Sequence, residues 1–374
     1  MVHRLPFPII SVEGDSSDRG FQYGAQAKTL IEGSLHIYYQ LFKEAGLEWG
    51  QALELGKKFV PLIKEYDSDA LEEIKGIAKG AGRSSEEILL LNARRNITYM
   101  LESGGRVAEA STEGSTVLAA TPEATMSKHM LIGQNVDCLP ATKETHIILK
   151  EKRDRGPNSV MFLEAGGVGR ASGLNSAGIA RCGNGLFTDK IRFGVPMQIV
   201  ERKQSMAGNM AEAIALSLSP APPRRAGSAN LVMADKDGLC VSIEVTSEDA
   251  NFIYPDNGIL VHTNHLLTVH PTVKDLVPAL SPSSILRRCR AEVLLAAQRG
   301  KITVETMQRI LRDHAGKPAS ICDHTGGTMD WQRVASFIKT IASFIIDVNE
   351  NTLYIAEGPP CENEYIKLTF EDIM

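Results

Sequence analysis

Glu113-Gly114-Ser115-Thr116-Val117 joins two halves of the chain written in different periods, and reading it as a boundary decides the fold. On its amino-terminal side, residues 19–46 carry Ala27, Leu30, Ile31, Leu35, Tyr38, Leu41 and Phe42 at spacings of three and four. That is the stripe of a helix buried along one face, with Gly46 as its stop. The spacing predicts a second helix over 51–66. A third runs from Asp69, with Glu72 in capping-box register, to Gly80 or Gly82, and a fourth covers 86–101, opened by Ser84 with Glu87. Residues 102–112 hold turn formers without periodicity and read as an exposed connector.

On the carboxy-terminal side the period drops to two. Runs at 116–120, 130–136, 146–150, 160–164, 170–174 and 179–183, separated by Gly, Pro and Asn, have the pattern of antiparallel ribbons. Helical spacing returns at 195–217, residues 220–227 read as a linker, and strands resume at 231–234, 239–245, 252–254 and 259–263. Helices at 283–298 and 304–313 precede closing strands at 334–339, 342–348 and 352–356. Helix and strand blocks in this order predict an α+β fold in which two helical layers enclose two sheets.

With 374 residues, 43% of them apolar, the chain can bury a substantial core. Its 45 acidic and 40 basic residues are scattered and sum to a net charge of -5, which excludes the basic field needed for nucleic acid or an anionic membrane. Arg94-Arg95, Arg224-Arg225 and Arg287-Arg288 read as solvated faces. The six cysteines, at 138, 182, 240, 289, 322 and 361, form no CxxC pair, so neither a zinc site nor a disulfide framework is expected, and the compartment reads as reducing. No apolar run suits a signal peptide or a membrane span, and Glu371-Asp372-Ile373-Met374 is no peroxisomal address. The expected location is cytoplasmic.

Common cofactor signatures fail. Gly166-Gly167-Val168-Gly169 lacks the spacing and the following Lys of a phosphate loop, there is no GxSxG or HExxH, and His262 with His265 has no nearby third ligand. No metal or tightly bound cofactor is expected. What remains is a series of short polar motifs at strand ends. They are Gly114-Ser115-Thr116, Gly133-Gln134-Asn135-Val136-Asp137, Gly173-Leu174-Asn175-Ser176-Ala177-Gly178, His262-Thr263-Asn264-His265 and Pro318-Ala319-Ser320-Ile321-Cys322. Taken singly, each is ordinary turn chemistry.

In this order they resemble the isopenicillin-N acyltransferase (acyl-CoA:6-aminopenicillanate acyltransferase) family of N-terminal nucleophile hydrolases. Gly20-Phe21-Gln22-Tyr23-Gly24 and Glu73-Ile74-Lys75-Gly76-Ile77-Ala78-Lys79-Gly80 extend the likeness forward. The resemblance implies a single four-layer αββα domain made as a precursor. Its cut falls between Gly114 and Ser115, giving a helical segment 1–114 and a catalytic segment 115–374. Ser115 then attacks through its hydroxyl, and its new α-amine, with a pKa of roughly 8, takes the proton. By the same resemblance Asp137 holds that amine, Asn264 donates to the oxyanion, and Asn175, Ser228 and Ser320 lie at the substrate. The substrates implied are an amide or amine with acyl-CoA as a co-substrate, and the cleaved 1–114 segment stays as partner; no phosphate-binding motif independently supports acyl-CoA.

Two residues depart from the family pattern. Its nucleophile is Cys, where this chain has Ser115, and Asp323 stands where Arg often follows Ser-Ile-Cys. A thiol with a pKa near 8.5 supplies thiolate at neutral pH and a hydroxyl does not. Two readings therefore stay open: a self-processing acyltransferase or amidohydrolase, and a precursor that stays whole or works weakly because its nucleophile is serine. A scaffold without activity would leave the Asp137 and Asn264 motifs unexplained.

Overall fold

The computed structural model describes residues 5–103, 113–170, 172–219, 224–326 and 338–369. The connector at 104–112, the linker at 220–223, residue 171, the 334–337 part of the first closing strand and the last five residues lie outside the described residues.

A strand opens the chain, β1 (Ile9–Gly14), and six helices follow: α1 (Ser16–Gln26), α2 (Lys28–Glu44), α3 (Trp49–Lys57), α4 (Val60–Tyr66), α5 (Ser68–Ala81) and α6 (Ser85–Ser103). The expected helix at 19–46 is two helices meeting at Ala27. Alpha-one is set backbone to backbone against α5: a Cβ on Gly24 would lie 2.1 Å from the Ile77 carbonyl oxygen, and one on Gly80 2.1 Å from that of Phe21. Only glycine allows this approach, and it explains why both N-terminal motifs carry a Gly at every fourth place. The expected 51–66 helix also divides, with Pro61 in the first turn of α4, where a missing N–H is harmless. Alpha-five is capped by Asp67 rather than Asp69: the Ala70 N–H donates to Asp67 Oδ1 at 3.3 Å. The capping box at α6 forms as expected, Ser84 N donating to Glu87 Oε2 at 2.9 Å and Glu87 N to Ser84 Oγ at 3.2 Å.

The strand blocks are β2 (Glu113–Ala120), β3 (Leu131–Cys138), β4 (His146–Arg153), β5 (Ser159–Glu164), β6 (Gly173–Asn175) and β7 (Ile179–Leu186). After α7 (Met197–Gln204) and α8 (Met210–Leu218) come β8 (Ser228–Asp235), β9 (Cys240–Val245), β10 (Ala250–Ile253) and β11 (Ile259–His262). The chain continues through α9 (Val277–Leu280), α10 (Ser283–Ala296) and α11 (Val304–Leu311) into β12 (Lys339–Asp347), β13 (Thr352–Glu357) and β14 (Ile366–Thr369). Eight strands form one sheet in the order β1-β4-β5-β6-β7-β8-β9-β10, and six form the other, β11-β2-β3-β12-β13-β14. Beta-one, absent from the sequence reading, pairs in parallel with β4, Ile9 opposite Ile148.

Alternation along the strands sorts the core into layers. Val117, Ile132, Val232 and Phe344 pack between the sheets, Leu118, Leu131 and Ile345 face α10 and α11, and the opposite face of the larger sheet is covered by helices α1 to α8. The expected α+β, αββα order is the one observed. Four arginines expected on solvated faces are buried instead: Arg94 pairs with Glu164 at 2.9 Å, Arg95 with Glu201 at 3.3 Å, Arg225 Nε donates to the Thr246 carbonyl at 2.7 Å, and Arg287 belongs to the site below. Only their neighbours Arg224 and Arg288 reach solvent. No helix among the described residues is long and apolar enough to cross a membrane.

Candidate active site

Beta-two lies between β11 and β3, but its ladder with β11 runs only from Ala120–Ile259 to Val117–His262. Ser115, two residues earlier, keeps β3 on one side, opposite Val136, and turns its other edge to side chains. The Ser115 N–H donates to Asn264 Oδ1 at 3.0 Å. Its carbonyl accepts from Arg287 Nη1 at 2.8 Å and from Asn184 Nδ2 at 3.1 Å. Its hydroxyl accepts from the same Asn184 nitrogen at 2.6 Å and donates toward the Gly183 carbonyl at 3.4 Å. Every polar atom of this buried residue thus has a hydrogen-bond partner, with Asn184 serving both the carbonyl and the hydroxyl.

Asn184 follows Ala180 and Cys182 on the face of β7 that looks between the sheets, and it is where that face turns polar. Ser242 donates to Asn230 Oδ1, and Asn230 Nδ2 donates to Asn184 Oδ1 at 2.9 Å, which fixes the Asn184 amide with its nitrogen toward Ser115. Gln134 clasps the neighbouring residue, its Nε2 donating to the Gly183 carbonyl at 2.7 Å and its Oε1 accepting from Gly183 N at 3.2 Å.

The His262-Thr263-Asn264-His265 motif acts as a clamp on α10. Thr263 Oγ1 donates to the Ser284 carbonyl at 2.9 Å, Asn264 N donates to Ser284 Oγ at 2.9 Å, and His265 Nδ1 lies 2.9 Å from the same hydroxyl. His262 is anchored on Glu244 at 2.9 Å, so neither histidine is a ligand in waiting. One turn along α10 from Ser284, Arg287 enters the site and also donates to Asn264 Oδ1 at 2.9 Å. Asn264 Nδ2 donates to the Gly185 carbonyl at 3.1 Å, leaving its second N–H for another acceptor.

Asp137 faces the other side of the ribbon. Its Oδ1 accepts from Thr340 Oγ1 at 2.6 Å, and Oδ2 is buried without a hydrogen-bond partner among the described residues. Across the ladder it stands opposite Gly114, where a Cβ would come 3.3 Å from the Asp137 Cβ and 2.8 Å from Ile338 Cδ1. Asp323 is fixed next to it through Thr340, whose Oγ1 accepts from Asp323 N at 2.8 Å. Burial, and then the negative charge of Asp323, push the Asp137 carboxyl up to about 7, against the opposing pull of Arg287. Burial lowers the Arg287 pKa, and the two carboxylates offset that. Asp323 therefore lies behind the β2–β3 ribbon and acts on Asp137.

Of the remaining expected residues, Ser228 shares the inter-sheet face of β8 with Asn230 and bonds Thr188 Oγ1 at 2.9 Å. Asn175 lies elsewhere. Its amide holds the Ser205 and Ala207 carbonyls and the Ala177 and Ile179 N–H groups, and Ile179 is five residues, about 16 Å, along β7 from Asn184. Ser320 closes on the Cys322 carbonyl at 2.6 Å, on the α11 side of β3. Arg287 and Asn184 were not singled out by the sequence reading. The available signal for Asn184 was a polar residue on a strand face that is otherwise apolar.

The family profile described as acyl-coenzyme A:6-aminopenicillanic acid acyl-transferase matches residues 124–362. The chain belongs to that family. It is 32% identical over 320 residues, 84% of each chain, to the acyl-coenzyme A:6-aminopenicillanic-acid-acyltransferase 40 kDa form of Emericella nidulans. Among solved structures it is similar to the Caenorhabditis elegans N-acylethanolamine-hydrolyzing acid amidase ortholog, with TM-score 0.44, 14% identity and 63% of this chain and 93% of that one covered. Penicillin V acylase from Agrobacterium tumefaciens gives TM-score 0.43 and 12% identity over 69% of this chain and 87% of that one. Membership makes the chain an enzyme of the acyltransferase type.

Proposed function

We propose that the chain is a self-processing acyltransferase or amide hydrolase that cuts its own Gly114–Ser115 bond and then works through an acyl group on Ser115. The observation that carries this reading is the grip on Ser115 by Asn264, Arg287 and Asn184 at the end of a ladder. In the first step the hydroxyl attacks the Gly114 carbonyl and its proton passes to the Ser115 nitrogen, so that the C–N bond breaks and the amine is freed; water then hydrolyses the resulting ester, releasing the Gly114 carboxylate and restoring the Ser115 hydroxyl. In turnover that amine accepts the hydroxyl proton and the oxygen attacks an amide or an acyl-CoA thioester. The acyl group then leaves to an amine or to water. The free second N–H of Asn264 suits an oxyanion, and the unpartnered Asp137 Oδ2 suits an ammonium formed where Gly114 departs. No tightly bound cofactor is needed; acyl-CoA enters as substrate.

The second reading, a slow or uncut precursor, is favoured by one observation. Before cleavage the hydroxyl is held by a donor, Asn184, while its acceptor is a backbone carbonyl at 3.4 Å, so among the described residues no basic side chain draws off its proton. Denaturing electrophoresis with intact-mass analysis separates the two. Self-processing gives two fragments with a new terminus at Ser115, and Ser115→Cys cuts faster. A chain still at 40.7 kDa after long incubation, with the Cys variant cut, supports the precursor reading; a Cys variant that also stays whole rejects the site.

A further inference from the structure

Behind Asp323, four side chains that the reaction does not use turn toward one point. His314 follows the end of α11, Cys322 and His324 flank Asp323, and Cys361 sits in the loop after β13. Cys322 Sγ is 3.6 Å from Cys361 Sγ and 3.4 Å from His324 Nε2. Cys361 Sγ is 3.3 Å from His324 Nε2, and the two Nε2 atoms of His314 and His324 are 3.2 Å apart. All four atoms lie within 4.8 Å of one another.

We infer that His314, Cys322, His324 and Cys361 form a structural zinc site. Bonds of about 2.3 Å to sulfur and 2.0 Å to nitrogen at the corners of a tetrahedron set ligand atoms about 3.3 to 3.8 Å apart; the four separations above, 3.2 to 3.6 Å, match this closely, and all the ligand atoms lie within 4.8 Å of one another. A disulfide would need the sulfurs at about 2.0 Å, and both cysteines are free thiols. Two thiols and two imidazoles bring soft sulfur and nitrogen donors together, the set that selects zinc over hard cations. Binding releases the two thiol protons, and two thiolates with two neutral imidazoles balance a dication. The Glu362 carboxylate, 3.6 Å from His324 Nδ1, stands behind one ring as an orienting partner.

With four protein ligands the ion keeps no open position, so its work is positional. It ties the end of α11, the Ser320-Ile321-Cys322-Asp323 segment and the loop after β13 into one corner. These are already linked by the Cys322 N–H to the Asp313 carbonyl at 3.1 Å and by Arg312 Nε to the Pro360 carbonyl at 2.7 Å. The consequence at the site is a fixed Asp323 beside Asp137.

The test uses the full, tag-free chain purified with a thiol reductant. Elemental analysis after zinc addition and dialysis is expected to give about one zinc per chain, and cobalt in its place should give the intense visible bands of a tetrahedral site with thiolate-to-cobalt charge transfer. Cys361→Ser and His314→Ala should abolish both, whereas Cys289→Ser, at an exposed thiol outside the cluster, should leave them. Should those two variants aggregate, chelation of the unmodified chain decides: a melting temperature that falls on metal removal and returns with zinc supports the site. No uptake by the reduced chain, a cobalt spectrum without thiolate bands, or a Cys322–Cys361 disulfide in peptide maps would overturn it.

Discussion

The two faces of the β2–β3 ribbon carry different chemistry. Between the sheets, the Ser115 hydroxyl and the Gln134 amide meet neutral amides and backbone groups, with Asn184 at the centre. On the opposite face stand Asp137, Asp323 and Arg287, all buried. The difference separates two tasks. Groups that do not titrate near neutral pH fix the Ser115 hydroxyl, while ionisable groups sit on the far side of the backbone. Arg287 joins the faces, since one guanidinium holds the Ser115 carbonyl and Asn264 while its charge offsets both carboxylates.

If that division is right, removing the joint should hurt most. Arg287→Ala leaves two buried carboxylates without their cation and is expected to destabilise the chain by about 3–5 kcal/mol in urea unfolding, with Arg287→Lys in between. A loss below about 1 kcal/mol would break the comparison. The charged face should also impose a pH slope. With its carboxyl pushed up to about 7 from 3.8, the folded chain keeps a proton on Asp137 that the unfolded chain has already released. Stability should therefore fall as pH rises from about 4 to about 7, then level off. Three units at about 1.4 kcal/mol each bound the effect at of order 4 kcal/mol, shared with Asp323. Asp137→Asn should flatten the slope and gain on the parent at pH 8, and parallel curves for the two would refute the assignment. The neutral face should give the smallest change, with no pH dependence: Asn184→Ala strands the Asn230 amide and should cost about 1–2 kcal/mol at every pH, measured by the same unfolding series.

Much of this was legible in local pattern. The Ser84–Glu87 box and the drop in period after Ser115 place helices and strands because both signals are carried by neighbouring residues. The glycines of α1 and α5 were quoted as motifs, but their meaning, backbone contact, needs both helices at once. Beta-one was missed because its partner, β4, lies more than 130 residues on. Arg287 was misread because a pair of arginines looks like surface, and its burial becomes tolerable through the carbonyl of Ser115, the hydroxyl of Thr116, the amide of Asn264 and two carboxylates. The thiol and imidazole cluster was invisible for a related reason, since its ligands come from three segments at spacings of eight, two and thirty-seven residues.

The parallel pairing of β1 with β4 has a consequence for how a cut would be noticed. Residues before Gly114 supply a strand to the larger sheet, and their carboxylates close buried ion pairs with Arg202, at 2.6 Å from Glu73 and 2.9 Å from Asp67. Scission at Gly114–Ser115 removes none of these contacts. The products would therefore stay associated, co-eluting at the size of the parent under native conditions and parting only in denaturant.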